Sequence, residues 1–231
     1  MVKATVQAEN LVKNDSRKPV KGVQWRTLGL LFAALLVPMI LFASIADEVH
    51  ENDTLVVDTA ILQYIHTFSS PTLDSVVKFL TNLGGVMGVG GITLAALGLF
   101  VWKKKYRAAV QLSIGIGGAV LLNIITKSLF MRGRPELWER IVTETSYSFP
   151  SGHSMASVAL AASFVLIFWH TRYRWWVVGA AAVYTVMIGF TRMYLGVHYP
   201  SDVVAGWCLG VAWVVAVALV LRSITIKTPK K

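Results

Sequence analysis

Residues 149–169 read FPSGHSMASVALAASFVLIFW, a polar turn that opens directly into an apolar run. Pro150 fixes the direction in which the chain enters the run, and a serine of the turn can cap a helix there. Gly152 lets an anion approach the backbone, and the free N–H groups at a helix start bind phosphate. The stretch therefore predicts an apolar helix with an anion site at its beginning. The simpler alternative is an ordinary serine cap beside an incidental histidine, His153.

The composition of the chain favours a membrane protein. Of 231 residues, 55% are hydrophobic and only 15% are charged, and the mean hydropathy is +0.60. A soluble domain of this length has too few charges to coat a surface that apolar. The single cysteine, Cys208, excludes an intrachain disulfide.

Six apolar runs predict membrane-spanning helices, so the expected fold is an all-α integral membrane protein with six transmembrane helices. The first run has 18 residues and exceeds the usual apolar core of a secretory signal, so we expect a retained span rather than a cleaved leader. The runs cover residues 28–45, 85–102, 108–126, 154–169, 175–191 and 203–221.

The segment between the first two runs is different in character. It begins with acidic residues, among them Asp58, and continues as two amphipathic halves with stripes such as Ile61, Ile65 and Phe68. Ser69-Ser70-Pro71 separates the halves. We expect two short interfacial helices here, in preference to a re-entrant arrangement.

The basic residues indicate the orientation in the membrane. Six spans place both termini on one side, and that side carries 16 of the 22 Lys and Arg residues. The positive-inside rule then puts both termini in the cytoplasm of a multi-pass cell-membrane protein, and residues 127–140, 149–154 and 192–202 on the outer face. The expected organisation is a cytoplasmic tail over residues 1–26, a six-span domain over 27–222 and a cytoplasmic tail over 223–231. The net charge of +10 is thus a topology signal rather than a sign of nucleic-acid binding.

Three cations flank the apolar runs on the predicted outer face: Lys127, Arg134 and Arg192. Each alone could extend its charge to lipid headgroups. Three of them beside glycine and histidine motifs indicate a phosphate site, because guanidinium groups bind phosphate with two parallel hydrogen bonds and lysine adds a point charge.

His198 and Asp202 are four residues apart and share one face if the last helix begins near them. Asp202 can accept a hydrogen bond from one ring nitrogen and leave the other as a nucleophile, although a structural capping pair is an alternative. His153 is then free to act as a proton donor. A metal site is the rival use of these residues, but the spacing matches no zinc motif and the neighbouring cations repel a metal.

Three motifs together resemble those of the type-2 phosphatidic acid phosphatases. They are Lys127-x6-Arg134-Pro135, Pro150-Ser151-Gly152-His153 and Arg192-x5-His198-x3-Asp202. Thr191 stands where the family usually has serine, and it keeps the hydroxyl. The resemblance implies a lipid phosphatase in which His198 forms a phosphohistidine, Asp202 orients it, and His153 protonates the leaving group and then activates water. The phosphoryl oxygens would be held by Lys127, Arg134, Arg192 and the amides around Ser151 and Gly152.

The resemblance further implies that no metal or cofactor is needed, and the sequence gives no evidence of an obligate protein partner. Among small bacterial members the likeness favours phosphatidylglycerol phosphate in the bilayer as substrate, with undecaprenyl diphosphate as the competitor. A protein that binds or transports anionic lipid without chemistry is an alternative, but it would not need an aspartate behind a histidine. A vanadate-dependent haloperoxidase is a weaker one.

Overall fold

The structure is a computed structural model that describes residues 25–51 and 55–227. Most of the predicted N-terminal tail and the end of the C-terminal tail lie outside the described residues. Contacts divide the chain into two units after Phe32, and all predicted site residues belong to the second.

The described part of the chain contains eight α-helices and one 3-10 turn, joined by irregular segments. Every described element is helical, in agreement with the predicted all-α class. The helices are α1 (Trp25–Glu51), α2 (Leu55–His66), α3 (Pro71–Thr81), α4 (Val86–Trp102), α5 (Tyr106–Phe130), α6 (Gly152–Phe168), α7 (Arg174–Tyr194) and α8 (Pro200–Lys227), and the 3-10 turn is Asn82–Gly84.

The six predicted spans each coincide with a helix, but the helices differ in their capacity to cross a bilayer. Within the described ranges, α1, α5, α7 and α8 are long and apolar enough, and α3 with the 3-10 turn and α4 form a pair bent by 43° that would make a fifth span. Helix α6 is apolar but has only 17 residues. The structure thus gives a helical membrane protein with four to five candidate spans.

The break predicted between the two amphipathic halves is present. Ser70 accepts a hydrogen bond from the Leu73 amide (3.3 Å) and caps α3, with Pro71 as its first residue. Of the predicted stripe only Ile65 is buried, because Ile61 on α2 and Phe68 just beyond its end are exposed.

The buried face of α2 instead carries Asp58, Leu62 and Ile65. A search for apolar periodicity does not find this face, because Asp58, the first buried residue on it, is a carboxylate.

Helix α6 is the buried centre of the bundle and packs against α5, α7 and α8. Its small side chains allow the close approach of α8, where Gly206 and Gly210 face it. A Cβ atom at these glycines would lie 2.8 Å from the Ser151 carbonyl oxygen and 2.9 Å from the Met155 carbonyl oxygen. Small residues at such contacts let membrane helices pack closely. This packing fixes the polar turn before α6 against the first turn of α8.

Helix α5 has an outer face that is apolar and exposed. Val110, Ile114, Leu121, Ile124 and Leu129 all lie on this face. Because a large exposed apolar face is unfavourable in water, the face suits contact with lipid.

Candidate active site

His198 lies in the short loop between α7 and α8 and is 1% exposed. Its Nδ1 atom is 3.4 Å from Oδ2 of Asp202, and its Nε2 atom is 3.1 Å from Nη1 of Arg134. A guanidinium group can only donate hydrogen bonds, so Nε2 must be the acceptor and Nδ1 must carry the proton. The geometry therefore assigns a tautomer in which Asp202 holds the ring and the lone pair of Nε2 lies among cations.

The protonation state of His198 is set by its surroundings. Burial, followed by the charges of Arg134, Arg192 and Lys127, lowers the pKa of His198 well below its usual value. Both effects disfavour the imidazolium. The ring is thus neutral near pH 7, as a nucleophile requires.

The predicted cations come together next to this ring. Arg134 is held by Ser146, whose carbonyl oxygen accepts from Nε at 2.8 Å, and by the Val197 carbonyl oxygen, 2.7 Å from Nη1. Lys127, in the last turn of α5, donates to the Ser146 hydroxyl at 3.1 Å. Backbone carbonyls and hydroxyls fix the positions of Arg134 and Lys127 without themselves adding negative charge.

Glu144 was not identified from the sequence, and it bridges two of these cations. Its carboxylate accepts a hydrogen bond from Nη2 of Arg192 and lies 3.6 Å from Nη2 of Arg134. Burial by itself would raise the pKa of Glu144, but the neighbouring Arg192 and Arg134 guanidinium groups lower it on balance.

Arg192 itself is 1% exposed and also donates to the Thr81 hydroxyl (2.9 Å), while its Nε atom has no hydrogen-bond partner among the described residues. The Glu144 carboxylate thus already occupies the space between Arg134 and Arg192. The Nε–H group of Arg192 is a hydrogen-bond donor without a partner in this cluster.

The turn before α6 is built as predicted, with one difference. Ser151 caps the helix by accepting from the Ser154 amide (3.4 Å), but its own amide donates to the Asp202 carbonyl oxygen (3.0 Å). The predicted contact of that amide with phosphate is therefore replaced by a link to α8. The N–H groups of Gly152 and His153, the first two helical residues, have no partners within the helix and are left for an anion.

Asn123 of α5 supports this turn and was also missed. Its Nδ2 atom donates to the Pro150 carbonyl oxygen at 3.1 Å, and its Oδ1 atom lies 3.0 Å from the position of a Cβ atom on Gly152. No spacing rule points to a lone asparagine within an apolar run, so only the folded chain shows its role.

His153 lies in the first turn of α6, half-buried, beside the start of α4. A Cβ atom on Gly85 would lie 3.0 Å from Nε2 of His153. His153 lies within electrostatic range of Arg192, Glu144, Arg134 and Lys127 and so belongs to the same cluster. All eight predicted site residues are thus brought to one end of α5, α6, α7 and α8.

Asp202 has a second partner that the motifs do not include. Arg132 donates from Nη1 to Oδ1 of Asp202 at 2.6 Å and from Nη2 to Oδ2 of Asp58 at 2.9 Å. Arg132 lies between the two cations of the first motif, so its position was visible in the sequence while its role was not. Among the described residues no group of three or more His, Cys, Asp or Glu side chains could hold a metal ion.

Comparisons with known proteins match the region that contains this site. A family model described as the PAP2 superfamily matches residues 108–225, which include all three motifs. Phosphatidylglycerophosphatase B of Bacillus subtilis is 32% identical over 175 residues, which make up 73% of this chain and 85% of that protein. An undecaprenyl-diphosphatase of Sulfolobus acidocaldarius is 29% identical over 158 residues, 66% of this chain and 72% of that protein.

A solved structure has the same fold. The crystal structure of a transmembrane PAP2-type phosphatidylglycerolphosphate phosphatase from Bacillus subtilis superposes with a TM-score of 0.74 and 26% sequence identity. The superposition covers 86% of this chain and 98% of that chain.

Proposed function

The chain belongs to the PAP2 superfamily of lipid phosphate phosphatases, as its three motifs predicted, and we propose that it removes the terminal phosphate of phosphatidylglycerol phosphate. The observation that carries the proposal is the His198 ring, with Nδ1 towards Asp202 and Nε2 among cations. A protein that only binds anionic lipid has no use for a neutral, aspartate-backed imidazole.

The proposed reaction has two steps. Nε2 of His198 attacks phosphorus and forms a P–N bond, while the bond from phosphorus to the lipid oxygen breaks and His153 gives that oxygen a proton. Asp202 stabilises the imidazolium that forms. Water activated by His153 then attacks the phosphohistidine, which releases orthophosphate and restores His198.

Electrostatic stabilisation of the transferring phosphoryl group is the larger contribution in this scheme. Little covalent chemistry is asked of the protein, so positioning and charge dominate. Lys127, Arg134 and Arg192 would hold the three phosphoryl oxygens, together with the free amides of Gly152 and His153. Acid–base help from His153 would add about 10²- to 10⁴-fold.

The membrane arrangement is part of the proposal. The chain is a multi-pass membrane protein, and we infer six spans. The short helices α4 and α6 would cross a locally thinner part of the bilayer. Both termini would lie in the cytoplasm and the site on the outer face. The excess of Lys and Arg on the terminal side supports this orientation. A fluorescent protein fused to the C-terminus should fold and fluoresce in the cytoplasm; a reporter active only outside the cytoplasm would reverse the orientation.

The experiment that tests the function is phosphate release by the purified protein in detergent with excess chelator. Phosphatidylglycerol phosphate and undecaprenyl diphosphate are compared side by side, because a relative of each activity matches this chain. We expect faster release from phosphatidylglycerol phosphate, no release with His198→Ala, and normal release with the exposed control His170→Ala.

Each other outcome of this experiment has a defined meaning. Faster release from undecaprenyl diphosphate would replace the substrate and keep the mechanism. A requirement for a divalent ion would overturn the histidine mechanism. Release from neither lipid would support the binding-only alternative.

A further inference from the structure

A buried chain of charges runs behind the proposed nucleophile and begins on α2. Asp58 and Arg132 form an ion pair at 2.9 Å, and Arg132 and Asp202 form a second at 2.6 Å. The side chains of Asp58, Arg132 and Asp202 are 4%, 8% and 0% exposed. Charges this deeply buried are costly unless each is paired and hydrogen-bonded. The arrangement therefore requires all three partners to be present.

Asp58 also holds the first turn of α8 directly. Its Oδ1 atom accepts from the Ser201 amide at 2.9 Å, and its Oδ2 atom accepts from the Ser201 hydroxyl. An amide of a helix's first turn lacks a partner within the helix, and a carboxylate there is favoured by the helix dipole. Asp58, which belongs to α2, thus caps α8 at Ser201, the residue directly before Asp202.

The two carboxylate oxygens of Asp202 are held by different groups. Oδ1 is held by Arg132, while Oδ2 accepts from the Tyr199 amide (3.0 Å) and faces Nδ1 of His198 (3.4 Å). Rotation of the carboxylate would break contacts on both sides. The guanidinium of Arg132 is itself stacked 4.1 Å from the centre of the Tyr199 ring.

The charge balance gives Asp58 a second effect. Arg132 alone would neutralise Asp202 and weaken its attraction for the imidazolium that forms on His198. With Asp58 included, the three groups carry a net charge of −1, so their own contribution still stabilises the imidazolium that forms on His198. Paired and hydrogen-bonded carboxylates of this kind set ring orientation and basicity in other histidine sites.

We propose that Asp58 is a positioning residue for phosphoryl transfer: through Arg132 and Ser201 it fixes the Asp202 carboxylate against His198. The proposal rests on the proposed function, because it takes His198 as the nucleophile. Asp58 does not contact the phosphate in this scheme, so its loss should affect the chemical step and leave anion binding intact.

The test compares Asp58→Asn with Asp74→Asn. Asp74 is a partly buried carboxylate on the neighbouring helix α3, where it accepts from the Tyr194 hydroxyl at 2.7 Å outside the site. A misplacement of about 1 Å can cost about 100-fold, so we expect Asp58→Asn to lower kcat about 10- to 100-fold with little change in KM. Inhibition by inorganic phosphate, which reports binding of the anion alone, should be unchanged, and Asp74→Asn should have the activity of the unaltered protein.

A double-mutant cycle separates positioning from general destabilisation. In an Asp202→Asn background, Asp58→Asn should lower kcat by less than twofold, because the carboxylate that it positions is already gone. Asp58→Glu, which keeps the charge, should recover part of the lost activity. It also provides a second, charge-retaining variant if Asp58→Asn proves poorly folded by thermal unfolding in detergent.

Three results would overturn the proposal. These are normal kcat in folded Asp58→Asn, a loss that appears in KM and in inhibition by inorganic phosphate, and a loss of equal size with and without Asp202. Activity that survives in His198→Ala would instead refute the proposed function itself, so the two failures are distinguishable.

Discussion

Gly85 offers a way to move His153 without changing it. The backbone of Gly85 has φ −84° and ψ −176°, which any residue can adopt, so alanine is not strained there. The added methyl carbon would lie 3.0 Å from Nε2 of His153, while an unstrained contact needs about 3.5 Å. The imidazole must therefore recede by about 0.5 Å.

The expected effect on turnover follows from that displacement. A misplacement of about 1 Å can cost about 100-fold, so about 0.5 Å should lower kcat about tenfold in Gly85→Ala. Gly85→Val, with more bulk at the same place, should approach the full contribution of acid–base catalysis, about 10²- to 10⁴-fold.

The assay is steady-state phosphate release in detergent, with thermal unfolding measured on each variant. Gly85 precedes α4 as its N-cap, so alanine also weakens the cap. Gly85→Ser restores a good cap but keeps the Cβ atom, and it should be as slow as Gly85→Ala. Gly91→Ala, an exposed position on the same helix with open space around it, is the matched control.

Normal turnover in folded Gly85→Ala would refute the argument. It would mean that Nε2 of His153 is not held where the leaving oxygen needs its proton. A loss in Gly85→Ala that Gly85→Ser repairs would assign the effect to the cap instead.

Three further predictions concern the anion site, the turn and the nucleophile. Arg134→Lys should lower kcat/KM about 10- to 100-fold, because lysine cannot replace the two parallel hydrogen bonds of a guanidinium group. Arg140→Lys, at the surface, should have normal kinetics. Equal kinetics in both variants would remove Arg134 from the pocket. Ser151→Ala should lower the unfolding midpoint by about 2–4 °C through loss of the cap, and an unchanged midpoint would contradict that assignment. Because the folded pKa of His198 is depressed, the unfolded chain binds more protons below about pH 6.5, and stability should fall as the pH drops below about 6.5 towards that depressed pKa. His198→Asn should reduce this fall and His170→Asn should not; parallel curves for the two variants would contradict the depressed pKa.

The sequence predicted the helices because apolar runs report burial in lipid without reference to the rest of the fold. It predicted less well where helices are short or charged. Helix α1 continues past residue 45 through acidic residues to Glu51, and α6 ends after 17 residues. Hydropathy cannot place such ends, since capping and tertiary contacts decide them.

The motif residues could be singled out from the sequence because a phosphate site needs cations and because their spacing resembles that of a known family, and the structure brings their side chains together. Their supporting residues could not be. Asp58 is 143 residues from the Ser201 amide that it caps, and Glu144 lies in an irregular loop between two motifs. A carboxylate in a loop normally indicates a solvated surface, and only the folded chain reveals which carboxylates are buried beside arginines.

Glu144 has a consequence for how the protein exchanges ligands. In the structure, which holds no substrate, the Glu144 carboxylate forms ion pairs with Arg134 and Arg192. The pocket therefore already contains a counter-charge for these two cations. Under the proposed function, an incoming phosphate would displace the Glu144 carboxylate from the two arginines, and the carboxylate would return when orthophosphate leaves. The two guanidinium groups would then have a counter-charge at every stage of turnover, which avoids the cost of unpaired charges next to the low-dielectric bilayer.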